Sequence, residues 1–370
     1  ARGMTKKLKP SPEMKRSLDE FVEQRDSLKF KEHGQLSRDL RTAREAARAA
    51  EAAKADLSLR LGFYEKLESV PLVVPEWVSP KGPTKGHVGI PSVAIGDWHS
   101  GEWVDPAQVG GINCYTRAIA DARLKRAFEQ SVVVPRDYMK GVDFEGIQVF
   151  LTGDQVSGNI HEELSATNEG TVFENVLSMA EGFIAGLTLL AKEFGRVNVT
   201  CVVGNHGRRT LKPIFKNRAK DSFDWVIYGI VEGRVRADKR ITMQVSPAID
   251  AAVTLYRTRY LTMHGDDFKG GGGISAELAP LLLGVHRTTR QKQAEGHPFD
   301  CMVLGHTHSL KFLPGMSIIV TGSGIGASEL GTGKKYTPEP PACALWVTTP
   351  EHGVTTFSPA FVADREAEGW

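Results

Sequence analysis

The chain is predicted to fold as a layered α/β protein, two β-sheets with helices on their outer faces. Three observations carry this. Short apolar runs recur through residues 87–305, and most end in Gly-Asp, Gly-Asn or His-Gly, the pattern of buried strands delivering polar groups at their carboxyl ends. Stretches of helical period lie between some of these runs. A further set of alternating segments in the middle and tail has the texture of antiparallel sheet.

Taken in order, Ser37 to about Glu68 is rich in Arg, Ala, Glu and Lys and free of breakers, so it predicts a helix. Its apolar stripe (Leu40, Ala43, Ala47, Ala50) is mostly alanine and buries little area, which suits leaning on another surface or on a second copy of the chain. Pro71, Pro75, Pro80 and Pro83, with Gly82 and Gly86, mark a linker over 71–86. The expected organisation is a basic helical extension (1–70), this linker and a catalytic-type domain (87–370). Buried strands are expected at Pro91–Ile95, Ile147–Leu151, Val197–Val203, Tyr260–Met263 and Cys301–Leu304, and helices at Asn113–Gln130 and Glu174–Phe194. Ile241–Val245 and Ala252–Arg259 alternate as strands, and Ser317–Thr321, Cys343–Thr348 and Val354–Phe357 are expected to build the second sheet.

Composition sets bounds. With 41% hydrophobic and 24% charged residues the chain is ordinary for a soluble globular protein. No apolar run approaches the ~18–20 residues of a membrane span, and the basic N-terminus lacks an apolar signal core, so no membrane association and a cytoplasmic location are expected. Cys114, Cys201, Cys301 and Cys343 are scattered, which argues against a zinc ribbon or disulfide framework. Net charge is +2, but residues 1–60 hold 15 Lys/Arg against 10 Asp/Glu. That basic end suits a solvated helical face or a nucleic-acid contact.

Five blocks concentrate the chemistry: Asp97-Trp98-His99, Gly153-Asp154, Gly204-Asn205-His206, His264-Gly265 and Gly305-His306-Thr307-His308. They hold five of the eleven histidines. Singly each is weak, because Gly-Asp and Gly-Asn are common turn chemistry. Residues two apart in extended chain point the same way, so His306-x-His308 and Asp97-x-His99 can each face one cluster. Several strand ends carrying only carboxylate, imidazole and amide groups supply the ligands of two divalent ions about 3.5–4 Å apart.

In this order and spacing the blocks resemble the calcineurin-like metallophosphoesterases, over about residues 90–325. A narrower resemblance, of texture, is to the branch of Mre11/SbcD-like nucleases and phage-encoded phosphoesterases, whose setting would be a host cytoplasm. The resemblance implies an α/β/β/α sandwich and two metal ions. One ion would be held by Asp97, His99 and His308, the other by Asn205, His264 and His306, with Asp154 bridging. It implies hydrolysis by a metal-bridging hydroxide, with His206 stabilising the transition state or protonating the leaving oxygen. The donor set suits Mn²⁺ first, with Fe, Zn²⁺ or Mg²⁺ as alternatives.

Two departures stand out. Ser157 occupies the place where many members carry an Asp or Asn that orients the catalytic histidine, leaving Asn159, His161 or Glu162 as substitutes. The acid after Gly-Asn-His is replaced by Gly207-Arg208-Arg209, which sets two candidate phosphate-binding arginines beside the metals. Lys269 and Gly270–Gly273 read as a mobile loop flanking the site.

Three functions compete. The first is a phosphodiesterase acting on nucleic acid, a DNA nuclease, supported by Arg208, Arg209, Arg287, Arg290, Lys292 and the basic N-terminal helix. No aromatic pattern of the kind single-strand binders interleave is visible. The second is a phosphomonoesterase acting on a phosphoprotein, nucleotide or small phosphate. The third is an inactive scaffold that binds, or self-associates, through its N-terminal helix.

Overall fold

The computed structural model describes residues 11–66, 87–139, 141–268 and 278–370. The linker expected over 71–86 and the glycine run Gly270–Gly273 therefore lie outside the described residues. The chain divides into two units, Ala1–Ser69 and Val70–Trp370. The first is one long helix, α1 (Pro12–Lys66), which begins well before Ser37. All of its described side chains are exposed.

In the second unit, β1 (Val88–Ile95), β3 (Ile147–Leu151), β4 (Val197–Cys201) and β5 (Ile241–Val245) run parallel in one sheet. A short strand, β2 (Asp143–Phe144), pairs with the start of β1. Two helices on its outer face, α2 (Arg117–Val133) and α4 (Val172–Phe194), begin where side chains cap them. The Thr116 hydroxyl accepts from the Ile119 amide, and Thr171 and Glu174 form a reciprocal capping box. Gly195, at φ 74°, ends α4 in the left-handed conformation. The two helices approach closely because Gly186 is bare. A Cβ there would lie 2.1 Å from a Phe128 ring carbon. Helix α4 is also the one described helix long and apolar enough to cross a membrane by length and composition; here Val176, Met179, Phe183, Leu187 and Leu190 are buried in the fold.

The second sheet runs in the order β6 (Asp250–Leu255), β7 (Thr258–Met263), β8 (Cys301–Leu304), β10 (Ile318–Val320), β9 (Lys311–Leu313). Its strands alternate. Val253, Tyr260, Val303 and Ile319 pack against Ile90, Ala94, Phe150 and Trp346 of the first sheet, forming the core between the sheets. Leu261, Met302, Leu304 and Ile318 point the other way, onto Leu281 and Val285 of α6 (Leu278–Ala294). Between the sheets the Phe150 and Trp346 rings stack at 5.4 Å, and the Tyr260 hydroxyl meets Thr348 Oγ1 at 2.7 Å, so burial leaves it satisfied. The architecture is the expected α/β/β/α sandwich.

Three expectations are corrected. Ala252–Arg259 is not one strand: β6 turns into β7 at Tyr256-Arg257, with Tyr256 at φ 55°. Neither residue advertises a tight turn, since two-residue hairpins favour Asn-Gly or Asp-Gly. Ile241–Val245 lies at the parallel edge of the first sheet, separate from β6. The tail strands β11 (Ala342–Thr349) and β12 (Gly353–Phe361) belong to the first sheet too, antiparallel along the free edge of β1. Alternation identifies a strand, whereas sheet membership is decided by the packing of Trp346 and Ala344 between the layers.

Candidate metal centre

Each of the five blocks follows a strand. Asp97 and His99 leave β1, Asp154 leaves β3, Asn205 and His206 leave β4, His264 leaves β7, and His306 and His308 leave β8. Both sheets thus contribute from their carboxyl ends, where side chains from separate strands converge without interrupting a ladder. The chain must bend sharply there. Among the described residues, nine non-glycine residues have positive φ, and Asp97, His99, Asp154, His306 and His308 are five of them, at 50–69°. Each such residue costs ~1–2 kcal/mol, a concentration typical of a site that the surrounding fold over-determines. Gly153 and Gly204 let two of the loops touch: a Cβ on Gly153 would sit 2.2 Å from the Gly204 nitrogen.

Three overlapping groups of ligand atoms result, each within 4.8 Å: Asp97, His99 and His308; His99, Asp154 and His206; Asp154, His264 and His306. His99 Nε2 faces His308 Nε2 at 3.1 Å, and His308 Nε2 lies 3.5 Å from Asp97 Oδ1. On the other side His264 Nε2 is 2.9 Å from Asp154 Oδ2. The His264 ring is oriented by its far nitrogen, which donates to the Thr152 carbonyl at 2.8 Å and so leaves Nε2 facing Asp154. The Asp97 carboxylate also accepts the His306 amide at 2.9 Å, tying the β1 and β8 loops together.

Electrostatics divides the imidazoles. Burial, with His206 and His308 beside it, pulls His99 well below its ordinary range, and burial beside His264 lowers His306 to about 4. Burial opposes charge on His264 as well, but Asp154 overrides it and raises that ring to about 10. His308 is raised in the same way by Asp97. Asp154 is buried, yet His264 and His206 hold its carboxyl well below the usual range.

The donors could hold metal ions. Asn205 Oδ1 is buried and accepts no hydrogen bond among the described residues, at the position where an amide ligand is expected. Asn205 Oδ1, the inward-facing nitrogens of His99 and His308, and both carboxylates make the mixed N/O set of a transition-metal site.

His206 lies at the edge of this cluster, its ring centroid 4.4 Å from that of His99. Its orienting partner is neither Asn159 nor Glu162. Nδ1 donates to the main-chain carbonyl of Ser157 at 3.0 Å, so the serine at the departure point acts through its backbone. His161 stacks obliquely on His206, with centroids 5.3 Å apart, while Glu162 opens the short helix α3 (Glu162–Thr167). Arg208 is committed to the backbone, donating to the carbonyls of Asn205, Thr210 and Leu211, and Arg209 pairs with Asp221 at 2.7 Å. Lys292 is likewise engaged, with Asp250 and Glu295; Arg287 and Arg290 are exposed on α6.

One residue that sequence reasoning missed is Asp224. It sits in the first turn of α5 (Phe223–Val235), behind the Ser222 cap, and is fully buried. Its two oxygens accept the backbone amides of Asp154 (2.9 Å), Gln155 (3.0 Å) and Gly204 (2.8 Å), clamping the β3 and β4 loops to one carboxylate. Burial and the charge of Asp154 raise Asp224 to about 6. Its only signal in the sequence is the Ser-x-Asp start of a helix. Gly207 is explained by the same contact, because a Cβ there would lie 2.6 Å from Ser222 Oγ and 3.1 Å from Asp224 Cγ.

No family model matches the chain, and no curated protein does. Among solved structures it is similar to Vacuolar Protein Sorting 29 from Cryptosporidium parvum, at 13% identity and a TM-score of 0.31, over 74% of this chain and 98% of that one. It is similar to hypothetical protein PH1004 from Pyrococcus horikoshii OT3 at 12% identity and a TM-score of 0.38, over 76% and 91%. A third is phosphopantetheinyl hydrolase (PptH) from Mycobacterium tuberculosis, at 12% identity and a TM-score of 0.24, over 68% and 94%. At these values the overlays carry no chemistry across, and the reading of this site rests on its own side chains.

Proposed function

We propose that the chain is a dinuclear-metal-dependent phosphoesterase whose substrate is a phosphodiester of nucleic acid, DNA first. The observation that carries the reading is Asp154. It belongs to two of the three ligand-atom groups, one with His99 and His206 and the other with His264 and His306; its Oδ2 faces His264 Nε2 at 2.9 Å and its Oδ1 accepts the His206 amide at 2.6 Å. A bridging ligand has this disposition.

Two ions, with Mn²⁺ the first choice, held by Asp97, His99 and His308 and by Asn205, His264 and His306 about a shared Asp154, would supply positive charge against phosphoryl oxygens and acidify a water. The protein's own share is positional. The Ser157 carbonyl accepts from His206 Nδ1, so Nε2 is the nitrogen left free to face the departing oxygen, to which a doubly protonated ring would pass its Nε2 proton. Asp224 holds the Asp154 and Asn205 loops in register. The diester preference is supported by the segment after His206, whose Lys212 and Lys216 are exposed.

The test is hydrolysis by the Mn²⁺-loaded full chain of a chromogenic diester, a monoester, and labelled single- and double-stranded DNA, with Asp154→Asn as control. Diester and DNA cleavage lost in the variant is expected. Turnover of the monoester alone would replace the nuclease reading by a phosphomonoesterase, and no turnover of any substrate would remove the enzyme reading.

A further inference from the structure

The segment between His206 and α5 leaves the metal centre and returns to it. The Phe223 amide donates to the Gly207 carbonyl at 2.7 Å and Arg208 pairs in antiparallel fashion with Ser222, so residues 207–222 close into a loop with a narrow neck. Its arginines stiffen it. Arg208 stitches the rising limb to the Asn205 carbonyl. On the descending limb, Arg218 reaches Asp266 and Asp267, the residues just after His264-Gly265, at 2.5 and 3.0 Å. The loop is thereby pinned to two of the strand ends that carry the ligands.

Its tip is of a different character. Residues 211–217, Leu-Lys-Pro-Ile-Phe-Lys-Asn, are all exposed, with Phe215 82% exposed and Leu211 67%. Folding alone gives no reason to hold a phenylalanine in water between two lysines, and exposed apolar groups rimmed by charge mark contact surfaces. At the neck a second exposed aromatic, Phe173, packs edge-on against Phe223 with ring centroids 6.0 Å apart. An exposed ring flanked by exposed lysines, on a loop tied to the candidate metal centre, offers what proteins use to hold a single strand: cations for the backbone and a ring face for an unstacked base.

We propose that this loop is a single-strand-binding element, with Phe215 stacking on a base and Lys212 and Lys216 pairing with flanking phosphates, so that the strand is presented to the metal centre. The proposal deepens the nucleic-acid reading and rests on it for its biological sense, although the binding itself requires no turnover. A duplex keeps its bases stacked inward and offers Phe215 nothing, so the element selects single strands, or ends that fray.

The test is fluorescence anisotropy of a labelled oligothymidylate and of a duplex of equal length, on the full chain in chelator, across a salt series. Phe215→Ala is expected to weaken oligothymidylate binding about tenfold and leave duplex binding unchanged, because base–aromatic stacking is lost. Replacing Lys212 and Lys216 together by Ala is expected to lower the slope of log affinity against log salt by about 1.4. Phe215 is solvent-exposed, so its removal does not endanger the fold. Unchanged oligothymidylate binding by both variants would overturn the proposal. Phe215-dependent binding to vesicles of anionic phospholipid, with none to oligothymidylate, would overturn it in favour of a membrane surface. Wild-type chain that binds oligothymidylate through Phe215 but hydrolyses no ester keeps the loop and discards the esterase reading; cleavage without a Phe215 effect does the reverse.

Discussion

Replacing Asp224 separates two roles that a buried carboxylate can have. In Asp224→Asn one oxygen remains for the Asp154 and Gly204 amides, while the new amide group opposes the Gln155 N–H. Leaving that donor unpaired costs ~1–3 kcal/mol. Against this, the wild-type carboxylate is itself unfavourable near pH 7: it is raised from 3.8 to about 6, roughly two pKa units or ~3 kcal/mol, by burial and the charge of Asp154. The two terms nearly cancel, so metal-free Asp224→Asn is expected to unfold within about 1–2 kcal/mol of wild type. In Asp224→Ala all three amides lose their acceptor, and the loss outweighs the relief, giving net destabilisation of about 2 kcal/mol or more. Metal affinity is where both variants should agree. With the Asp154 and Asn205 loops no longer held to one point, Mn²⁺ binding measured by titration calorimetry is expected to weaken ~10–100-fold, the usual effect of losing a group that orients ligands. Wild-type Mn²⁺ affinity in Asp224→Asn would refute the clamp, whatever its melting behaviour.

Three further outcomes follow from the charges around the centre. His264 is held protonated by Asp154, so loading the metal must expel its proton; calorimetry near pH 7 in buffers of different ionisation enthalpy should show about one proton or more released per chain. No buffer dependence would mean that His264 does not ligate. Glu102 is buried and raised from 4.5 to about 7. The unfolded chain ionises it first, so as pH rises from about 4.5 to about 7 the metal-free protein should lose ~3 kcal/mol, stability that is fully present below the unfolded value. Urea titrations of Glu102→Gln should lack that decline, and an identical pH profile would count against the burial. Arg123, fully buried, donates to both oxygens of Glu368, to the Gly324 and Ile325 carbonyls and to Asn113 Oδ1. Arg123→Ala takes the cation from the Glu368 carboxylate, which keeps the Trp370 Nε1 and Asp364 amide donors, and should cost ~3 kcal/mol, read as a fall in melting temperature; a melt within ~2 °C of wild type would show the pair to be dispensable.

How much of this was legible in the sequence depends on how far each determinant acts along the chain. The candidate ligands stand immediately after apolar runs such as Ile147–Leu151 and Cys301–Leu304, so strand and chemistry are read in one glance, and their convergence follows from a general property of α/β sheets. Sheet membership is not local: the runs of β11 and β12 would suit a strand of either sheet, and only the pairing of β11 with β1, with Ala344 and Trp346 packed against Phe150 and Tyr260, places them in the first. Turn chemistry failed at Tyr256-Arg257 for the same reason, since tertiary packing holds Tyr256 buried in a conformation that its residue type does not favour.

The two departures from the family pattern are resolved by contacts that no local motif announces. Ser157 orients His206 through a carbonyl, and every residue type supplies a carbonyl, so the side chain at 157 is uninformative about whether an orienting partner exists. At Gly207 the reverse holds: the residue type matters because Asp224 comes up against it from a helix that begins sixteen residues later. A side chain at 207 would clash with Ser222 Oγ and press, at 3.1 Å, on the carboxylate that ties Asp154 to Gly204. The glycine and the buried aspartate are thus one structural decision written at two places in the chain. Gly207→Ala should therefore reproduce the weakened Mn²⁺ binding of Asp224→Asn in the same calorimetric titration, and the double variant should be little worse than either alone. Strict additivity of the two effects would mean that they act separately.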